Sequence, residues 1–231
     1  MAKTTICIFA KPPRAGKAKT RLMPEIGPAA AASIANALLQ DVIVAATQIR
    51  GAHVVLSATE AFQIEGAGAL PVWLQPEGDL GMRLEQTLQR ALSQSNFAVA
   101  VGADTPGLTA SMLEEALESL RENEAVLGPA ADGGYYLIGV RRCPNGLLRD
   151  IHWSQPTTLA QTIAQCRRFR INYSLARPWF DLDRASDLQH VCCLMRREAL
   201  FAPHLKAALE SMGMLCHSTA HEIFRNYPGV K

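Results

Sequence analysis

The 231-residue sequence lacks the compositional extremes that define several protein classes. Only 6% of its residues are aromatic and 19% are charged, while 48% are hydrophobic, a balance that excludes a disordered chain, a coiled coil and a collagen-like repeat. An excess of charge of one sign is also missing, with 23 Lys and Arg against 21 Asp and Glu. The surface as a whole therefore does not suit nucleic acid, and any electrostatic function must come from local clusters.

Long hydrophobic runs are missing as well. The apolar stretch near the start covers only residues 6–10, which is too short for a signal peptide. The longest apolar region, residues 26–46, contains Asn36, Gln40 and Asp41, whereas a membrane span needs about 20 nearly uninterrupted apolar residues. The six cysteines contain no Cys-x-x-Cys pair. We therefore expect a buried helix over this region, no membrane partner and a cytoplasmic location.

Short apolar runs alternate with helical spacing along the chain. Strands are predicted at residues 4–10, 53–57, 71–75, 97–101, 125–127 and 135–140, and helices at 28–49, 82–92 and 111–120. Because the strands are apolar on both faces and the connections are short, the pattern predicts a single three-layer α/β/α domain with a mostly parallel sheet. The alternation predicts this domain over residues 1–195 and a helical C-terminal appendage over 196–231.

The loop after the first strand, residues 11–21, is the most basic segment. It carries five cations around Gly16: Lys11, Arg14, Lys17, Lys19 and Arg21. Glycine lets the backbone approach a ligand, and Lys and Arg donate charge-assisted hydrogen bonds to phosphate oxygens. The loop is not a Walker A motif, because Lys11 replaces its first glycine and Ala18 its Ser or Thr. It predicts a polyphosphate site, with a solvated basic turn as the alternative.

Two acidic segments are candidates for a metal site. Asp104 directly follows a predicted strand, where a carboxylate can hold Mg²⁺ or Mn²⁺ together with a phosphate. It could instead cap the next helix, although Thr109 is better placed for that. Asp181, Asp183 and Asp187 stand at the start of a probable helix, whose positive end each would stabilise by about 0.3–1 kcal/mol. The alternative is that this segment supplies a second metal carboxylate beside Asp104.

The segment 128–136 combines small residues with an Asp-Gly-Gly-Tyr-Tyr sequence. Its double glycine is compatible with a plain hairpin-like turn and with a loop that admits a substrate against backbone amides, and the spacing leaves both open. Residues 75–83 form a turn into a helix, with Arg83 available to a ligand. Trp153 and Ser154 are candidates for lining a pocket, although a core position is the alternative for Trp153. No Gly-x-Ser-x-Gly elbow supports a Ser-His-Asp triad.

Several of these segments occur in a specific order between residues 4 and 190. They comprise Phe9-Ala10-Lys11, Pro13, Gly16 and Lys19-Thr20-Arg21-Leu22; Gly78-Asp79-Leu80-Gly81 and Arg83; Gly102, Asp104, Pro106 and Leu108; Gly128-Pro129 and Asp132 to Gly139; and Asp181, Asp183, Asp187 and Leu188. The set resembles the GT-A superfamily of nucleotide-dependent transferases. It is most similar to a bacterial glycosyltransferase-like branch of largely uncharacterised proteins, some associated with arsenosugar biosynthesis. The first two segments are also similar to those of phospholactate and molybdopterin guanylyltransferases.

The resemblance implies a role for each matching residue. The nucleotide-binding residues would be Lys11, Gly16, Lys19, Arg21, Gly78 and Arg83. The ligands of Mg²⁺ or Mn²⁺ would be Asp104, Asp183 and Asp181. The acceptor-binding residues would be Gly133, Gly134 and Tyr135, and the catalytic residues Asp104, Asp132 and Lys19. One departure from the family pattern is Gln155, which stands where related sequences have Thr after Trp-Ser.

Two reactions and one non-catalytic role are compatible with these residues. Nucleotidyl transfer from an NTP to a small acceptor is slightly favoured, because a triphosphate carries more charge for the basic loop to neutralise than a diphosphate does. A glycosyltransferase with an NDP-sugar donor is the alternative, although Asp104 stands alone where an Asp-x-Asp motif is expected. A nucleotide-binding module without turnover is the third. We expect a nucleotide and a small molecule as partners and no nucleic acid; the base, the acceptor and the oligomeric state stay open.

Overall fold

The computed structural model describes residues 3–64 and 70–215. Its strands are β1 (Thr4–Ala10), β2 (Ala52–Ala58), β3 (Val72–Leu74), β4 (Phe97–Gly102), β5 (Ala125–Pro129), β6 (Tyr135–Val140) and β7 (Tyr173–Leu175). Its helices are α1 (Met23–Thr47), α2 (Leu80–Leu92), α3 (Ala110–Glu122), α4 (Thr158–Arg168), α5 (Ala185–Arg196) and α6 (Pro203–Ser211). Every predicted strand and helix is present; α4 and β7 were not predicted.

The strands form one sheet in the order β3-β2-β1-β4-β6-β5-β7. Strand β1 is parallel to β2 and β4, β2 to β3, and β5 to β7, whereas β6 is antiparallel to both of its neighbours. The predicted mostly parallel sheet is therefore confirmed. Because β6 runs against β4, its first residue, Tyr135, lies at the same edge of the sheet as the carboxyl ends of β1 and β4.

Helices cover both faces of the sheet, which confirms the predicted three layers. Alternation along each strand divides the side chains between the faces: Val99 and Val101 of β4 pack with α1 and α3, while Ala98 and Ala100 pack with α2 on the opposite face. A third apolar cluster joins the first half of α1 to α5 and α6. The sheet thus holds the loops at its edges on a rigid, fully packed support.

Helix α1 is interrupted near its start. Gly27 has φ +81° and ψ 162°, a backbone conformation that favours glycine, and Pro28 then begins the long regular part of the helix. By length and composition α1 could cross a membrane, with a mean hydropathy of 1.6 over its most apolar 18 residues, but 56% of that stretch is buried inside the fold. Here it packs between the sheet and the C-terminal helices, as the predicted buried helix.

A buried carboxylate attaches α6 to the rest of the chain. Asp41 of α1 accepts hydrogen bonds of 2.9 Å from the backbone N–H groups of His204 and Leu205 and from the His204 imidazole Nδ1. It thereby satisfies two backbone donors at the start of α6. Of the predicted appendage over 196–231, the structure describes residues as far as 215; Cys216, His217 and His221 lie outside the described residues.

Four of the cysteines are buried: Cys7, Cys143, Cys166 and Cys192. Burial raises the pKa of Cys7 and Cys143 to about 12 and that of Cys166 to about 11, because an apolar environment disfavours the thiolate. Burial also raises the pKa of Cys192 above its ordinary value. Cys193, the next residue on α5, is exposed. These four buried thiols are packing residues, as predicted for Cys7.

Candidate active site

Two adjoining cavities open at the sheet edge where β1 and β4 end. We call the larger, of about 500 Å³, the basic cavity, because Lys11, Lys17, Lys19 and Arg21 line it. We call the smaller, of about 240 Å³, the acidic cavity, because Asp104, Asp132 and Asp181 line it. The two share four wall residues: Phe9, Leu80, Asp104 and Ser154. Ligands of open α/β sheets bind in this kind of position, past the carboxyl ends of the strands.

The basic loop supplies one side of the basic cavity. The chain leaves β1 at Ala10 and turns back at Gly16, whose φ of +80° is one that other residues rarely adopt. The side chain of Arg14 points to another partner, since it forms an exposed ion pair of 2.8 Å with Glu60. Four of the five cations of the basic loop therefore line one cavity, among them Lys11, Lys19 and Arg21, which the resemblance assigns to the nucleotide, whereas Arg14 does not line it.

Lys19 occupies the centre of the site. Its side chain is only 9% exposed, and its Nζ lies 3.3 Å from Asp104 Oδ2 and 3.0 Å from Asp183 Oδ1. Burial disfavours the charged form, but the two carboxylates outweigh that effect and raise the pKa of Lys19 above its ordinary value. Its φ of +49° is unusual for a residue with a side chain, and such backbone strain clusters at functional positions.

Three carboxylates from two distant segments meet at the boundary of the cavities. Asp104 follows β4, and the backbone N–H of Leu182 donates to its carbonyl oxygen at 3.0 Å, which fixes the segment 181–183 beside it. Asp183 lines the basic cavity, whereas Asp181 lines the acidic cavity. The Oδ1 of Asp181 accepts a hydrogen bond of 2.8 Å from the Thr105 hydroxyl. Burial, followed by the nearby charge of Asp104, raises the pKa of Asp181 to about 7. These three carboxylates thus gather around two cations, the Lys19 ammonium and the Arg21 guanidinium.

The carboxylates fit a hard divalent cation. No group of three His, Cys, Asp or Glu side chains within residues 3–64 and 70–215 forms a preassembled metal centre. Asp104 and Asp183 nevertheless converge on one positive charge, the Lys19 ammonium. Mg²⁺ is usually held by one or two carboxylates together with substrate phosphates rather than by a complete protein cage. Two carboxylates beside a cavity that four cations line meet that requirement.

Aromatic rings form much of the acidic cavity. Tyr135 and Trp153 meet edge to face with ring centroids 6.0 Å apart, and Tyr136 is held by a hydrogen bond of 3.0 Å from its hydroxyl to the Arg177 carbonyl. The buried indole Nε1 of Trp153 has no hydrogen-bond partner among the described residues. Ser154, which follows it, has φ +58°. Trp153 and Ser154 both line the acidic cavity, and Trp153 also packs against the apolar core, so both alternatives for Trp153 describe part of its position.

Asp132 lies at the mouth of the acidic cavity. It is exposed, and its Oδ1 accepts 2.9 Å from the Gly134 backbone N–H, which leaves Oδ2 free of that bond. Gly134 and Tyr135 also line the cavity, whereas Gly133 does not: a Cβ there would meet the Pro156 backbone. Three residues of the predicted acceptor segment, Asp132, Gly134 and Tyr135, therefore lie together at the acidic cavity.

Some predicted site residues lie outside both cavities. Arg83 donates 2.9 Å from Nε to the Gly78 carbonyl, so this pair stabilises the turn into α2. Gly16 shapes the basic loop without lining the cavity. Asp187 accepts from the backbone N–H groups of Asp183 and Arg184 at 3.0 and 2.7 Å, which confirms the helix-start interpretation for this residue.

Several residues that line the cavities were not predicted to do so, and most of them are apolar. Among them are the apolar residues Phe9, Leu80, Leu84, Leu39 and Ala35 and the polar residue Thr158. Residues of this kind have no signature of their own, because an apolar side chain at a cavity looks like one in the core. Phe9 and Leu80 did belong to the ordered motif set, and that position in the motifs is the one signal that could have identified them.

Comparison with known proteins begins with the sequence. The family model described as "Uncharacterized protein conserved in bacteria (DUF2064)" matches residues 30–155, more than half of the chain. No curated protein matches the sequence. The matched region contains β2 to β6 and thus Asp104 and the segment 128–136 with Asp132, while the basic loop precedes it.

Solved structures resemble the chain over nearly its whole length. A provisionally assigned nucleotide-diphospho-sugar transferase from Desulfovibrio desulfuricans G20 has a TM-score of 0.82 and 25% identity, covering 98% of this chain and 99% of its own. A CMP:2-keto-3-deoxy-manno-octonic acid synthetase in complex with CTP has a TM-score of 0.54 at 15% identity, covering 85% of this chain and 100% of its own. A cytidylyltransferase from Leptospira borgpetersenii serovar Hardjo-bovis (strain JB197) has a TM-score of 0.56 at 13% identity, covering 95% of this chain and 99% of its own. These likenesses confirm the predicted GT-A-like fold.

Proposed function

The chain belongs to the family described as uncharacterized protein conserved in bacteria (DUF2064), and from the geometry of its site we propose that it is a metal-dependent transferase that uses a nucleotide. The favoured reaction is nucleotidyl transfer from an NTP to a small acceptor. One observation carries this proposal: four cations and two carboxylates line a single cavity that opens into a second, smaller one. Neighbours of the same fold that are transferases support the enzyme class.

The basic cavity suits the triphosphate. Lys11, Lys17 and Arg21 are exposed side chains around its rim, and they would donate to the β- and γ-phosphate oxygens. Lys19, already directed at the carboxylate pair, would stabilise the charge that develops on the leaving pyrophosphate. Groups placed in advance around a phosphoryl group supply most of the catalysis in this kind of transfer.

The carboxylates divide two tasks. Asp104 and Asp183 would hold Mg²⁺ or Mn²⁺, which when bound neutralises phosphate charge and orients the triphosphate. Asp132 borders the acidic cavity and would accept the proton of the attacking hydroxyl at Oδ2, since its Oδ1 is engaged by the Gly134 N–H. The hydroxyl oxygen then bonds to the α-phosphorus, and the bond from that phosphorus to the pyrophosphate oxygen breaks.

Glycosyl transfer from an NDP-sugar is the second candidate. The neighbour that covers 98% of this chain is provisionally assigned to that class, and it supports this alternative. In this reaction the acceptor hydroxyl attacks the anomeric carbon and a nucleoside diphosphate leaves. The same residues would act, with Asp132 again accepting the proton, so the two reactions differ in the product released and not in the side chains required.

The test is thermal stabilisation by a panel of NTPs and NDP-sugars, each with Mg²⁺ and with EDTA, followed by product analysis. A ligand at 100 times its Kd stabilises by about 2.7 kcal/mol. Nucleotidyl transfer predicts a metal-dependent shift with NTPs and release of pyrophosphate, whereas glycosyl transfer predicts a shift with an NDP-sugar and release of the diphosphate. Equal shifts with and without metal, unchanged in Asp104→Asn, would indicate a non-catalytic nucleotide-binding module. The cytoplasmic location stays a prediction.

A further inference from the structure

The two cavities differ in the sign of their charge. Lys and Arg side chains surround the basic cavity, but none of the described residues that line the acidic cavity is Lys, Arg or His. The acidic cavity instead presents three carboxylates, Asp104, Asp132 and Asp181. Of the four wall residues that the two cavities share, Asp104 is the charged one, and the sign of the lining charge differs between its two sides.

The cations nearest to the acidic cavity line the basic cavity and form ion pairs there. Lys19 contacts Asp104 and Asp183 at 3.3 and 3.0 Å, and Arg21 contacts Asp183 at 3.6 Å. Both cations line the basic cavity only. When a nucleotide occupies that cavity, its phosphates are the groups these cations would neutralise. None of the residues that line the acidic cavity then supplies a positive charge to a second anion, and the metal proposed at Asp104 and Asp183 would have the nucleotide phosphates as its other ligands.

A phosphate or carboxylate is therefore a poor ligand for the acidic cavity. An anion there would face carboxyl oxygens and no cation among the lining residues, and like charges placed together across a binding site suppress the wrong partner strongly. A hydroxyl group has the opposite preference, because it donates to a carboxylate oxygen without bringing a charge of its own. The rings of Tyr136 and Trp153 offer apolar faces for the carbon atoms of such a compound.

We propose that the acceptor is an uncharged polyhydroxylated compound of about monosaccharide size, and that compounds bearing a phosphate or a carboxylate are excluded. The size of the compound follows from the cavity volume of about 240 Å³, which equals that of roughly eight waters in the liquid. The inference rests on the proposed function, since it assigns the acidic cavity to the acceptor. It holds for nucleotidyl and for glycosyl transfer alike, because in both the acceptor oxygen gives its proton to Asp132.

Matched pairs of probes test this on the full chain. The pairs are glycerol and glycerol 3-phosphate, glucose and glucose 6-phosphate, and myo-inositol and its 1-phosphate. Binding is measured by ligand-observed NMR and thermal shift, with the nucleotide and Mg²⁺ present and then without either. We expect at least one uncharged probe to bind and its phosphate partner to bind at least about 30-fold more weakly. Glucosamine against glucose tests whether a positive charge is tolerated.

Asp132→Asn is the informative variant, because it removes one charge from the acidic cavity and keeps the side-chain size. It is expected to reduce the discrimination against the phosphate partner about tenfold. Asp150→Asn is the matched control: Asp150 is exposed, lies outside both cavities and has φ +59°, which Asn tolerates. Its ratio of affinities should equal that of the wild type.

Two results would overturn the inference: a phosphate partner that binds as well as its uncharged probe, or a panel in which no uncharged probe binds. Failure of the proposed function has a different signature, since no NTP or NDP-sugar would then shift the melting temperature. In that case the probe pairs measured without nucleotide still decide the charge preference of the acidic cavity. The two failures are therefore distinguishable.

Discussion

Replacing Lys19 by Met tests the centre of the site. The Lys19 ammonium lies 3.0 Å from Asp183 and 3.3 Å from Asp104, and its side chain is 9% exposed. Met has a similar length and shape, so the substitution removes the charge and leaves the packing. It also leaves Asp104 without the Lys19 ammonium, and Asp183 with the Arg21 guanidinium at 3.6 Å. We expect a less stable protein that responds more strongly to divalent metal.

The magnitude follows from these distances. At an effective dielectric constant of about 20, each ion pair is worth about 5 kcal/mol before desolvation is counted. Desolvation of the buried ammonium offsets most of this, and removing one partner of a fully buried pair costs about 3–5 kcal/mol. Asp104 and Asp183 keep 41% and 44% of their side-chain exposure, which reduces the expected loss to about 1–3 kcal/mol. For a chain of this size that lowers Tm by roughly 2–12 °C.

The assay is a thermal melt at pH 7.5 with EDTA and again with MnCl₂. The raised pKa of Lys19 means that its stabilising contribution is fully present at this pH and is lost only above its ordinary value. Lys17→Met is the matched control, since Lys17 is an exposed lysine of the same loop. Its Tm should change little. Equal melting temperatures for the two variants, or a Mn²⁺ shift no larger in Lys19→Met than in wild type, would refute the reasoning.

Three further predictions concern the support of the site. In a urea melt, Gly133→Ala should lower the free energy of unfolding by about 2–4 kcal/mol, because φ is +87° and the new Cβ would lie 2.3 Å from the Pro156 carbonyl oxygen. Gly16→Ala, at φ +80° with no atom within 4 Å of the new Cβ, should lower it by about 1 kcal/mol. Similar losses for both would contradict this. Asp41→Ala should cost about 2–4 kcal/mol, because it strands the buried backbone donors at the start of α6; a loss below about 1 kcal/mol would argue against the contact. With iodoacetamide at pH 8, peptide mapping should find Cys193 alkylated well before the four buried thiols, whose pKa values burial raises; equally rapid labelling of those thiols would show that the packing is looser than described.

Much of the fold could be predicted from hydrophobic patterning. Strands such as β1 and β4 are apolar on both faces and are bounded by polar loops, so their existence and their parallel pairing follow from the sequence. The three-residue strand β7 has no such signal, because its side chains are only partly buried or exposed. Helix α4 fully buries three residues, Thr158, Thr162 and Cys166. Because two of them are polar, hydrophobic spacing does not reveal the buried face of this helix.

The site was less predictable than the fold. Charge density in the loop 11–21 indicated a cluster of cations, and four of them line the basic cavity, yet nothing in the spacing could show that Arg14 pairs with Glu60 instead. Asp183 and Lys19 stand 164 positions apart in the sequence, and they meet because α5 packs against α1 and because the Leu182 N–H donates to the Asp104 carbonyl oxygen. The sign change between the cavities depends on which side of Asp104 each carboxylate lies, and a linear sequence carries no record of that.

The two cavities are built from different stretches of the chain. Residues before about 75 form most of the basic cavity, whereas the segments 132–138 and 153–158 form most of the acidic one, with Asp104 between them. Under the proposed function, substitutions in the later segments would alter which compound is accepted while the earlier loop would keep its nucleotide. Descendants of one ancestral chain could diversify in this way, each inheriting the same donor and acquiring its own acceptor.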